Sequence, residues 1–144
     1  MSAYTADNST LKADSSLVKA DSNAVRYLVM GLTGNSADTA VWSYTSGGAT
    51  GAPVPTATDQ VICDANSLTG ASGNLTLSED FSCGGWINTG LTKTLTVTAS
   101  VYQFYLYGSL NISGTYQKYA FTGLSYFHYK GTGIPTVNGD AFLQ

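Results

Sequence analysis

Leu91-Thr-Lys-Thr-Leu-Thr-Val-Thr98 and, two residues later, Val101-Tyr-Gln-Phe-Tyr-Leu-Tyr-Gly108 are the stretches on which the fold turns. Both alternate with a period of two, the spacing of a strand that buries one face. Both are rich in Thr, Val and Tyr, which suit a pleated, half-buried surface. Between Phe81 and Gly139 there is no Asp or Glu, and tyrosines aside the ionisable groups are Lys93, Lys118, His128 and Lys130. Acid–base, metal and phosphate chemistry all need convergent charged or coordinating groups. This half of the chain therefore reads as scaffold and surface, not as a reaction centre.

Working outward, more short apolar runs suggest strands at Ala40–Tyr44, Gln60–Cys63, Leu75–Leu77, Gly85–Asn88, Leu110–Ile112, Tyr116–Phe121 and Leu124–Tyr129. The breaks between them are turn-like, among them Asn66-Ser67, Thr69-Gly70, Thr89-Gly90, Gly108-Ser109 and Thr122-Gly123. The expected class is all-β. Many short strands with Gly, Asn or Ser at the corners suit a short β-solenoid, a β-helix-like body in which coil stacks on coil. A β-sandwich or jelly roll, with the same strands paired as hairpins, is the alternative.

The first thirty residues differ in kind. Lys12-Ala-Asp-Ser-Ser-Leu-Val18 and Lys19-Ala-Asp-Ser-Asn-Ala-Val25 form a near-repeat of seven. Leu11, Val18 and Val25 share a heptad phase, with Leu17 beside them. The segment is read either as an oligomerising arm or as a short amphipathic helix, capped at Asp21 or Ser22 and ending near Gly31. The expected organisation is a docking arm at 1–30, a strand with a Gly/Pro-rich linker at 31–55, and a β-rich body at 56–144.

The whole chain has 144 residues, 10% of them charged, and a net charge of -3. Soluble domains carry about a quarter charged residues, so polarity here rests on hydroxyls and backbone. Nucleic-acid binding calls for a basic patch, and none is present in the sequence. No apolar run nears the ~20 residues of a membrane helix, and no basic segment followed by an apolar one marks a secretory leader. Synthesis in a host cytoplasm is the matching expectation.

Cys63 and Cys83, twenty residues apart, read as buried thiols stacked one coil apart. Asp59 and Asp64 read as solvated turn residues. With one His and two Cys, no metal and no cofactor is expected. Acids confined to turns before Phe81, apart from Asp140, offer no carboxylate pair for glycoside hydrolysis, and no Gly-x-Ser-x-Gly is present. The chain is therefore expected not to be an enzyme. The aromatic cluster is the strongest candidate for function. Tyr102, Tyr105, Tyr107, Tyr116, Tyr126 and Tyr129, with the arm residues Leu11, Leu17, Val18 and Val25, are the candidate interface. By period two, Tyr126, His128 and Lys130 share one face, and Phe127 and Tyr129 the other.

Trp42-Ser-Tyr-Thr-Ser-Gly-Gly-Ala-Thr-Gly-Ala-Pro-Val-Pro-Thr-Ala-Thr-Asp-Gln-Val-Ile-Cys-Asp-Ala-Asn-Ser67 resembles a segment of tailed-bacteriophage virion proteins, and Leu106-Tyr-Gly-Ser-Leu-Asn-Ile112 resembles a strand of their coils. Those proteins are Gly/Ser/Thr-rich β-solenoids that serve as fibre, spike or capsid decoration. The resemblance spans about residues 40–133 and brings no catalytic residue with it. It implies a non-enzymatic virion structural protein, most naturally a homotrimer held to capsid or tail proteins of the same particle. A carbohydrate-binding or adhesive surface module, meeting a glycan through its tyrosines, is the alternative.

Overall fold

The computed structural model describes residues 24–112, 117–121, 125–132 and 136–137, the second and last of these as backbone. The chain enters through β1 (Val25–Leu28) and β2 (Thr33–Asn35), then a 3-10 turn (Thr39–Val41) into β3 (Trp42–Ser43). After a long loop come β4 (Gln60–Asp64), β5 (Ser72–Thr76), β6 (Phe81–Cys83), β7 (Gly85–Thr89) and β8 (Thr94–Ala99). The series closes with β9 (Phe104–Leu106), β10 (Leu110–Ile112), β11 (Gln117–Phe121), β12 (Phe127–Tyr129) and β13 (Thr136–Val137). The all-β class expected from the sequence holds.

The strands fall into three sheets. The first has the order β13-β10-β7-β4-β1-β3, the second β11-β8-β5-β2, and the third β12-β9-β6. From β4 onward, successive strands visit first, second and third sheet in turn, and from β7 onward each pairs in parallel with the strand three places earlier. Among the strand pairs, β1 with β3 is antiparallel. Register partners lie 22 residues apart on the second sheet (Leu75, Val97 and Tyr119) and 23 on the third (Phe81, Phe104 and Phe127). On the first sheet the spacing is 25 between Gln60 and Gly85, and 24 between Trp86 and Leu110. Between β1 and β4 it widens to 35, Val25 to Gln60, because β2, β3 and the Gly/Pro loop intervene.

Alternation decides what is inside. In β8, Leu95, Val97 and Ala99 are buried while Thr94, Thr96 and Thr98 look out. Phe81, Phe104 and Phe127 align through the third sheet and form an inner column. Their rings sit 5.2 Å apart for Phe81 and Phe104, and 5.0 Å for Phe104 and Phe127. Trp42 stacks on Phe81 at 5.8 Å, and Trp86 meets Phe104 edge-on at 5.3 Å. Such offset and edge contacts add to plain area burial. One continuous core runs up the stack.

Three expectations are corrected here. The helix ending near Gly31 is replaced by β1, which pairs with β4 and β3. Val25 thus belongs to the first sheet, and residues 25–30 to the body. Parallel pairing and burial of Leu28 and Met30 outweigh a heptad pattern too short to stabilise a helix by itself. The Gly/Pro stretch read as a linker is packed on the body: Ala52 is in the core and Val54 lies against it. The thiols are not one coil apart. Cys63 in β4 and Cys83 in β6 belong to the first and third sheets, with β5 between them in the chain, both buried and unbonded. Twenty residues fall short of the coil period, so they span two corners instead of a full circuit.

Candidate functional site: the outer face of the third sheet

The outer face of the third sheet is built by columns of residues from its three strands, β6, β9 and β12. Ser82, Tyr105 and His128 are register partners along the central column. One column to the side runs Asp80, Gln103 and Tyr126, tied by the Gln103 amide donating to Asp80 Oδ1 at 2.9 Å. On the other side run Gly84, Tyr107 and Lys130, each one residue beyond its strand. The Tyr107 amide donates to the Cys83 carbonyl at 3.0 Å, and the Lys130 amide to Leu106 at 2.6 Å. The face is therefore graded along the stack. Its first row is small, and the next two carry large side chains.

Within these rows the rings are ordered. Tyr105 stacks on His128, with centroids 4.7 Å apart and planes 11° from parallel. Gln103 Oε1 lies 2.8 Å from His128 Nε2, which fixes the imidazole plane over the tyrosine. Tyr126 tilts against the same imidazole at 6.1 Å and is 57% exposed, while Tyr107 is 47% exposed. Tyr102 and Tyr129 are turned the other way and pack partly on the core. The expected division, with Tyr126, His128 and Lys130 on one face and Phe127 and Tyr129 on the other, is what the backbone produces. Leu11, Leu17, Val18 and Tyr116 lie outside the described residues.

At the corner between the third and first sheets, Tyr107 lines a cleft of about 360 Å³. Its lining is completed by Ala57, Thr58, Gln60, Gly84, Gly108 and Ser109. The floor is glycine because backbone passes too close for anything else. A Cβ on Gly84 would come 2.7 Å from the Thr58 carbonyl carbon, and one on Gly108 would collide with the Gly84 carbonyl oxygen. The sequence marked Gly108-Ser109 as a turn but gave no sign of this cleft, because Thr58, Gly84 and Tyr107 meet only through pairing of strands distant in sequence.

Beneath the cleft, Asp59 holds the corner together. It is 2% exposed, not solvated as the sequence suggested. Its carboxylate accepts from the Ala24 amide at 3.1 Å, the Thr56 amide at 2.8 Å and the Thr56 hydroxyl at 2.9 Å. Its carbonyl accepts from the Gly84 amide at 2.7 Å. Asp64 behaves as a turn residue, with Oδ1 accepting from the Asn66 amide at 2.9 Å. Burial pushes both thiols upward: Cys63 far above its ordinary 9.0, with the Asp64 charge adding, and Cys83 well above it, with Cys63 and Asp59 adding. Both are held as inert thiols.

Among the described residues, no three His, Cys, Asp or Glu side chains gather as a metal site, and no helix is long and apolar enough to cross a membrane. The outer face of the third sheet offers flat aromatic faces, hydroxyls and amides. Fold and site together define an all-β protein whose outer surface carries an ordered aromatic patch. The chain matches no protein-family model, no curated protein and no solved structure.

Proposed function

We propose that this chain is a non-enzymatic structural protein of a tailed-phage virion, serving as capsid decoration or as part of a tail fibre or spike. In this reading the body is a short β-solenoid that assembles as a homotrimer and docks on capsid or tail proteins of the same particle. The observation that carries it is the graded third-sheet face, where exposed Tyr107 and Tyr126 flank the Tyr105–His128 stack on a rigid stack of coils. Aromatics held still by their own scaffold bury area in an interface at little entropic cost. Low charge across Phe81–Gly139 suits a permanent contact, since charges defend a β surface against association. The likeness of residues 42–67 and 106–112 to virion proteins points the same way.

Mass measurement in solution tests it. The intact chain should run as a trimer, and removal of residues 1–23, ahead of β1, should weaken that trimer while the β-rich circular dichroism persists. A monomer at all accessible concentrations, unchanged by the truncation, would count against assembly through the arm and the aromatic face.

A further inference from the structure

The cleft under Tyr107 has chemistry of its own. Its lining holds one aromatic ring, an amide (Gln60) and two hydroxyls (Thr58, Ser109), over a floor of Gly84 and Gly108. Apart from the tyrosine phenol, nothing in that lining ionises. A phosphate or carboxylate ligand would find no cation there to pair with. A purely apolar ligand would strip water from Gln60, Thr58 and Ser109 without replacing their hydrogen bonds. The remaining match is a neutral molecule with one apolar face and a rim of hydroxyls. A pyranose has that shape: its C–H face lies on an aromatic ring while its hydroxyls reach amide and hydroxyl partners. The cleft volume of about 360 Å³ sits at the small end of ligand sites.

The surroundings extend the match. Tyr105 points to the same side as Tyr107, two residues back along the chain, and continues into the His128 stack and Tyr126. A chain of sugars seated at Tyr107 would therefore meet further ring faces across the sheet. The glycine floor matters as well, because side chains at Gly84 or Gly108 would collide with backbone and distort the corner. We infer that the corner between the third and first sheets is a binding site for a neutral oligosaccharide, with Tyr107 as the stacking platform and Gln60, Thr58 and Ser109 as hydrogen-bonding partners. The inference stands independently of the virion reading, since neither oligomer size nor the N-terminal arm enters it.

Calorimetric titration of the full chain with cellohexaose, maltohexaose and chitohexaose tests the site. Saturable binding of at least one, weakened about tenfold or more by Tyr107→Ala, is the expected result. Ser109→Trp, which fills the cleft from its exposed rim, should abolish the same binding. Thermal melts should show both variants folded, because both positions are exposed. Absence of saturable binding to all three probes at millimolar concentration overturns the proposal. So does binding indifferent to both substitutions.

Discussion

Asp59 shows how much one side chain can hold in a protein this poor in charge. Its carboxylate, itself buried, accepts from the Ala24 and Thr56 amides and the Thr56 hydroxyl. Replacing it by Ala removes all three bonds, at about 1 kcal/mol each for donors that water can still reach. Asp59→Ala should therefore lower stability by about 3 kcal/mol, read as a shift in denaturant midpoint at unchanged slope. Gly108→Ala acts by another route. The new methyl runs into the Gly84 carbonyl oxygen, backbone that cannot swing aside. About 2 kcal/mol or more of destabilisation is expected from such overpacking. The two thiols give a pH signature. Because the folded state raises both above 9.0, it keeps protons that the unfolded chain releases as pH climbs past that value. Stability contributed by the neutral thiols is complete below about pH 9 and falls above it, by up to about 1.4 kcal/mol per pH unit for each. Cys63→Ala/Cys83→Ala should flatten that alkaline decline, and thiol reagents should label the wild type only on unfolding.

At the scale of the element, the inner aromatic column governs cohesion between coils. Phe104 touches Phe81, Trp86 and Phe127, so it joins three successive levels of the stack. Phe104→Ala should cost about 3–5 kcal/mol by chemical denaturation. The strands themselves were legible where alternation was strong. The runs at 60–63, 85–88 and 110–112 became β4, β7 and β10, and the Thr-rich run beginning at Leu91 contains β8. β2 (Thr33–Asn35) and β6 (Phe81–Cys83) were missed, because three residues are too few to show a period and Gly34 weakens the pattern. β1 was misread because Val25 completes a heptad with Leu11 and Val18. Its pairing with β4, 35 residues on, leaves no mark in local sequence.

Across the whole molecule, stacking turns a list of short strands into a surface. Arg26, in β1 between β4 and β3, illustrates this. It occupies the register position of Val61, yet its guanidinium reaches the Pro53 carbonyl at 3.0 Å and lies 5.0 Å from the centre of the Tyr44 ring. The side chain is buried and its cation is turned to the loop, where a carbonyl and a ring face receive it. Arg26→Met should keep the stem but lose both contacts, loosening residues 44–53. Faster amide exchange confined to that loop, with the β8 amides unaffected, is the expected outcome.

The sequence by itself determined the class and the faces. Period-two alternation with scarce charge dictates strands with one side buried, and it sorted His128 from Phe127 correctly. Tertiary structure alone decided the neighbours. Which strand lies three places away depends on how many residues each corner consumes, and a corner's length shows little of its path. Gly84 and Tyr107, 23 residues apart, meet at the cleft for that reason, and Cys63 comes near enough to Cys83 in the core to raise its thiol. The local pattern specifies what each residue faces, inward or outward. Long-range parallel pairing specifies whom it touches, and the candidate site is made of such contacts.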